Sequence, residues 1–257
     1  MKDFYFVADW GSKHYLITPN VMISAGSTYH PKKKGFALSR TNLPDDTTKK
    51  LFLDSGGFSL LSQYADYPFS IEEYIQLAHY IKDNNLLTLI ATMDYPCESE
   101  INRTQLHTNE ERIQKTVDNA VACYDADISL PWVPVIQGYT IDEYLTCLDL
   151  YYESGIESFY WAIGSICSRK GHNLQMRNIV VTIAKRLEPE CKLHAFGLGI
   201  KFLYDPQIFS NIYSSDSAAW NYRAVSREQK PQMIEDYVKR LNDLQESFAG
   251  QEILEAE

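Results

Sequence analysis

The stretch WVPVIQGYTIDEYLTCLDLYYESGIESFYWAIG, Trp132 to Gly164, holds one complete structural unit. Residues 132–137 are β-branched, aromatic and aliphatic, and they end on Gln137 and Gly138. Residues 141–154 carry apolar side chains at helical spacing, and Gly155 follows where a helix C-terminal glycine belongs. A second apolar run, 158–164, then ends on Gly164 and Ser165. Strand, helix and a further mostly apolar strand in that order describe a parallel crossover.

The same alternation extends in both directions. Runs of strand character lie at 4–8, 21–25, 51–54, 87–94, 132–137, 158–164, 192–197 and 211–216. Helical periodicity is clearest at 71–83, 109–124, 141–154 and 174–187. Ser70 with Glu73, and Thr108 with Glu111, have the spacing of capping boxes. Eight strands alternating with helices predict an α/β fold, a (β/α)8 TIM-type barrel. About a dozen residues separate the first two strands, which is short for a parallel crossover and leaves a hairpin as the alternative there. The last helix is expected over 229–247. One barrel domain then covers 1–247, followed by an acidic tail over 248–257 whose end, 252–257, is expected to fray.

Composition suits that reading. With 45% hydrophobic and 23% charged residues over 257 positions, the chain resembles an ordinary soluble protein. No apolar run has the length of a membrane span, and the start lacks a signal-peptide pattern. The five cysteines are scattered, never spaced C-x-C or C-x-x-C. That predicts reduced thiols in a cytoplasmic protein without a clustered zinc site; no cofactor is expected.

In such a barrel, working residues gather at the C-terminal ends of the strands. Those ends read Asp54-Ser-Gly-Gly-Phe58, Met93-Asp94, Gln137-Gly138, Gly164-Ser165, Phe196-Gly197 and Ser215-Asp216. Two carboxylates flanking a glycosidic carbon can serve as nucleophile and general acid–base. A further aspartate and a glutamine offer acceptor and donor groups to a heterocycle's edge. Phe58 and Phe196 are flat faces suited to stacking a base. Taken singly, each has a plainer reading. Asp54 serves equally as a helix N-cap, Asp94 as a turn initiator, the phenylalanines as core, and His194 as a satisfied core histidine. Their joint placement at strand ends is what the plainer readings leave unexplained.

Those segments, in that order, resemble the tRNA-guanine transglycosylase superfamily, with a weaker match at Gly26-Ser-Thr-Tyr-His30. The resemblance implies exchange of guanine for a 7-deazaguanine base through a covalent enzyme–sugar intermediate. By position, Asp216 resembles the nucleophile that attacks C1′, and Asp54 the group that handles protons on the departing and incoming bases. Asp94 resembles the residue on the N1/N2 edge of the heterocycle, while Gln137, Gly138 and the Gly164–Ser165 backbone resemble its carbonyl site. Phe58 and Phe196, with Gly197 beside the latter, resemble a sandwich for the ring. The tRNA enzymes carry a zinc subdomain after the nucleophile strand, and this sequence has no cysteine beyond Cys191. In that, and in its short chain, it resembles the compact DNA-directed branch, the DpdA-like 7-deazaguanine DNA transglycosylases of modification islands and phages. That branch implies DNA as partner, with tRNA the alternative, a preQ0-like base as small-molecule substrate, and a helicase-like or ATPase partner.

Formal net charge is −10, which disfavours nucleic acid taken as a whole. The cations are grouped, however. Lys32, Lys33 and Lys34 follow strand two; Arg169, Lys170 and Arg177 follow strand six; Arg223 and Arg227 follow strand eight. All are expected on the catalytic face as a phosphate-binding rim. The rival functions are the same exchange on tRNA, a non-catalytic nucleic-acid-binding subunit, and an unrelated barrel acting on a sugar or phosphate metabolite.

Overall fold

The structure, a computed structural model, describes residues 1–8, 18–39, 49–84, 87–98, 107–167, 169, 173–221 and 229–255. Its main sheet has β1 at Asp3–Val7, β2 at Val21–Ser24, β3 at Leu51–Asp54 and β4 at Leu87–Ala91. β5 consists of Trp132–Val133 and Val135–Ile136, with β6 at Tyr160–Ile163, β7 at Lys192–Ala195 and β8 at Ser214–Ser217. The two segments of β5 flank Pro134, which has no N–H to give and interrupts the ladder for one residue.

Hydrogen bonds run across both sides of that interruption. Ile90 and Thr92 donate to the carbonyls of Pro131 and Val133, while Ala162 and Gly164 donate to those of Pro134 and Ile136. The nine sheet segments therefore make eight staves, every pairing among them parallel. β1 pairs with β2 on one side and β8 on the other, with Tyr5 opposite Asp216. The ring is closed as a (β/α)8 TIM-type barrel, and the hairpin alternative for the first strand is excluded.

Alternation along the strands sorts side chains between two layers. Tyr5, Met22, Phe52, Ala91, Val133, Val135 and Ala162 fill the barrel interior. Phe4 and Phe6 point outward into a second core with Ile136, Trp161, Leu193 and residues of the surrounding helices. Those helices are α1 (Ile71–Lys82), α2 (Asn109–Ala126), α3 (Ile141–Glu153), α4 (Asn173–Arg186) and α5 (Lys230–Glu255). None among the described residues is long and apolar enough to cross a membrane.

Both expected capping boxes form, and Thr140 with Glu143 adds a third at the start of α3. Buried tyrosines tie helices to strand ends. The Tyr74 hydroxyl donates to the Ala91 carbonyl (2.8 Å), Tyr144 to Gly164 (2.7 Å) and Tyr151 to Val135 (2.9 Å).

Two expectations need correction. The last helix does not stop at 247, because α5 runs to Glu255 and Phe248 stacks on Phe209 with ring centroids 4.4 Å apart. β8 starts at Ser214 rather than at 211, because Asp205 caps a short helix, Pro206–Asn211, with proline in its first turn.

Thr140→Ala removes an N-cap acceptor and leaves a first-turn N–H of α3 without a partner. It is expected to cost about 1 kcal/mol, read as a lower urea midpoint at an unchanged m value.

Candidate active site

β3 ends on Asp54, whose strand neighbour in register is Ser24 at the end of β2. The chain then turns through Gly56 into the short helix Gly57–Leu61, and the Gly56 N–H donates to Asp54 Oδ2 at 3.1 Å. Burial pushes the Asp54 carboxyl up to about 7, and the nearby charges of Asp94 and Asp216 add to the shift; bonds from Ser24 and Gly56 oppose it only in part. Three carboxylates from β3, the end of β4 and β8 thus share one barrel mouth.

Asp94 is buried and tightly held. Ser55 Oγ donates to its Oδ1 at 2.6 Å, and Gln137 Nε2 donates to its Oδ2. Burial raises its pKa against those two bonds. The network continues on both sides. The Tyr67 hydroxyl lies 3.0 Å from Ser55 Oγ and 2.8 Å from the Asp94 carbonyl. Ser165 Oγ donates to Gln137 Oε1 at 2.6 Å and accepts from the Cys97 N–H at 2.8 Å. Ser165 takes a left-handed backbone, φ 54°, a strained conformation for a residue with a side chain. Gly164 must lack a side chain, since a Cβ there would lie 2.2 Å from Gln137 Nε2.

Asp216 is also buried, and two donors converge on its Oδ1: the Gly197 N–H at 2.8 Å and His194 Nε2 at 3.1 Å. Gly197 has φ 70°, and a Cβ on it would meet Cys167 Cβ at 2.6 Å. The glycine therefore brings its N–H to the carboxylate. Phe196 is half-buried, 4.6 Å from the His194 ring and 5.7 Å from Phe52, whereas Phe58 is 48% exposed on its short helix. Gly138 packs against the backbone of α3, where a Cβ would lie 2.7 Å from the Tyr144 nitrogen.

The structure divides the expected cationic rim. Lys32, Lys33 and Lys34 are exposed at the turn of a small ribbon, Tyr29–His30 paired with Gly35–Phe36. Tyr29 and Phe36 anchor it on Phe69, with centroids 5.7 and 4.8 Å away. Arg169 departs from the expectation of a phosphate contact. It is 5% exposed, bonds the carbonyls of Ser165 (3.1 Å) and Tyr139 (2.6 Å), and lies over the Tyr139 ring. Its guanidinium is engaged in pinning two site loops together. Arg177 is bound to Asp205 at 2.6 Å and remains partly exposed. Lys170, Arg223 and Arg227 lie outside the described residues.

Ser55, Tyr67, Ser214 and the contact of His194 with Asp216 are site features that the sequence reading passed over. For His194 a signal existed. It lies on β7 two residues before Phe196, which directly follows that strand, so the period of two puts both on the same face. Tyr67 had none, because its loop reaches the site only through the fold. A cleft of about 400 Å³, lined by Tyr67, Tyr95, Met93, Lys115 and Asn119, opens beside the mouth and contains none of the three carboxylates.

The arrangement offers one carboxyl that titrates near neutrality, one carboxylate held through a single oxygen, and a braced donor–acceptor pair, Gln137 and Asp94. A family model described as DpdA, DeoxyPurine in DNA protein A, matches residues 12–237. Comparison with curated proteins found no match.

Two outcomes follow from this geometry. Gly164→Ala is expected to displace the Gln137 amide from Asp94 and cost about 1–3 kcal/mol of stability, measured by urea denaturation. Asp54 holds its proton more tightly folded than unfolded, so its favourable contribution is full below about pH 4 and is lost as pH rises toward about 7. Asp54→Asn is therefore expected to raise the melting temperature at pH 8 more than at pH 4.

Proposed function

The chain belongs to the DpdA family, which implies a DNA transglycosylase exchanging guanine for a 7-deazaguanine, and we propose that Asp216 and Asp54 perform the exchange through a covalent sugar–enzyme bond. The observation that carries this reading is the unequal treatment of carboxylates at one mouth. Asp54 is pushed up to about 7, while Asp216 receives two hydrogen bonds on a single oxygen. Dissimilar environments for neighbouring carboxyls are what nucleophile and acid–base pairs require.

The target deoxyguanosine leaves the base stack so that C1′ is open to attack. Asp216 forms a C1′–O bond as the C1′–N9 bond breaks, and the electron pair of that bond leaves on guanine, which takes the proton of Asp54. The incoming base, a preQ0-like 7-deazaguanine, then gives its N9 proton to Asp54. Its N9 attacks C1′ and returns the bonding pair to Asp216. Two inversions at C1′ give net retention. Asp94 and Gln137 bind the heterocycle's edge in both steps, next to the Gly164–Ser165 backbone, with Phe58 and Phe196 flanking the ring. The lysines of the ribbon turn take phosphates, and a helicase-like or ATPase partner lowers the cost of opening a duplex.

Incubation of the protein with DNA and labelled preQ0 is expected to label the DNA, and Asp216→Asn to abolish both label and covalent adduct. Label confined to tRNA would instead favour the tRNA reaction. Adduct formation in single turnover needs protonated Asp54, so its rate is expected to fall as pH rises through about 7. Asp54→Asn is expected to lose that fall and about 10²–10⁴-fold in rate. Replacing Lys32, Lys33 and Lys34 with alanine is expected to flatten the log-affinity against log-salt slope for DNA by roughly 2–3, measured by fluorescence anisotropy.

A further inference from the structure

The geometry points to His194 as the residue that positions Asp216, clamping its Oδ1 so that Oδ2 meets the sugar carbon; this inference rests on the reading of Asp216 as nucleophile. β7 and β8 are parallel neighbours with His194 in register with Ser214. Side chains two apart on a strand share a face, so Ser214 and Asp216 both present themselves to His194. Its Nδ1 lies 2.7 Å from Ser214 Oγ and its Nε2 3.1 Å from Asp216 Oδ1. Ser214 Oγ is in turn 2.7 Å from the Tyr160 hydroxyl. The imidazole is fully buried, with Phe196, Phe52 and Tyr5 meeting it edge to face at 4.6, 4.9 and 6.0 Å.

The acceptor chemistry sets the direction of these bonds. A carboxylate only accepts, so Nε2 carries the hydrogen shared with Asp216. In the Nε2–H tautomer Nδ1 is the acceptor, filled by the Ser214 hydroxyl, which itself accepts from Tyr160. All donors point one way, from Tyr160 through Ser214 and His194 to Asp216, and each buried polar group is served. The Gly197 N–H reaches the same Oδ1.

This clamp acts in both half-reactions. As Oδ2 bonds to C1′, Oδ1 becomes the ester carbonyl oxygen and stays in its hydrogen bonds. When the incoming base takes C1′, the C1′–Oδ2 pair returns to the carboxylate, where the His194 and Gly197 N–H groups already face the growing charge. The base itself is bound elsewhere, by Asp94 and Gln137, so removing the clamp slows turnover without weakening base binding.

His194→Phe and His194→Gln, each checked for folding by thermal denaturation, test this. Phenylalanine keeps the ring contacts and removes the donor; glutamine places an N–H near the position of Nε2. The expected result is a 10–100-fold lower kcat for His194→Phe, an unchanged KM for preQ0, and recovery of most of the rate in His194→Gln. Histidine ¹⁵N NMR supplies a readout independent of turnover. The resonance missing from His194→Phe is expected to show the Nε2–H tautomer in the wild type and to shift in Ser214→Ala. Wild-type kcat in a folded His194→Phe protein, or an Nδ1–H tautomer, would overturn the inference alone. A wild type that forms no adduct with DNA would overturn the nucleophile reading, and the inference with it.

Discussion

Like charges crowded where water is scarce repel one another strongly, and Asp54, Asp94 and Asp216 meet that condition at the barrel mouth. Each has a different settlement. Asp94 receives Ser55 and Gln137 on separate oxygens. Asp216 receives His194 and Gly197 on one. Asp54 accepts bonds from Ser24 and Gly56, yet burial first, and the charges of Asp94 and Asp216 after it, keep its proton in place up to about pH 7. The site is thus stabilised unevenly, and that unevenness supports the proposed division of roles.

Such a balance survives only if the donors stay in place. Much of the surrounding construction serves that end. α3 pins the strand that leads into Gln137, through Tyr151 on Val135, and the end of its neighbour β6, through Tyr144 on Gly164. Arg169 binds the Ser165 and Tyr139 carbonyls together, which holds the left-handed turn at Ser165 in its strained form. Tyr67 braces Ser55 and the Asp94 carbonyl from the opposite side. The residues proposed to touch a base are few, and the residues that keep them still are drawn from most of the circumference.

Local signals in the chain were enough for the barrel. Strand runs, capping boxes and Gly155 depend on near neighbours, and the structure follows them to within a few residues. The exceptions are instructive. The start of β8 was missed because the cap at Asp205 holds residues 206–211 in a helix, and the end of α5 was missed because Phe248 is retained by Phe209, distant in sequence. The three aspartates were legible as strand ends. Arg169 was not legible as a buried clamp, since nothing local distinguishes a guanidinium bound to carbonyls from one facing phosphate. Tyr67 and Ser214 act through partners on other elements, and no pattern in one segment records them.

The seam between β1 and β8 has a consequence for how the molecule is made. Residues 3–6 find one of their two strand partners only in residues 214–217. Phe4 and Phe6 are covered by Tyr237 of the final helix, at 5.3 and 5.8 Å. During synthesis the first strand therefore waits, with one edge unpaired and its outer face uncovered, until residues 214–217 and Tyr237 have emerged. Contacts of such wide sequence separation close late and slowly. An exposed strand edge in the interval is a template for association with other chains. The yield of folded protein thus depends on how long that edge stays open, and is expected to respond to chaperone supply and expression temperature more than to substitutions at the barrel mouth.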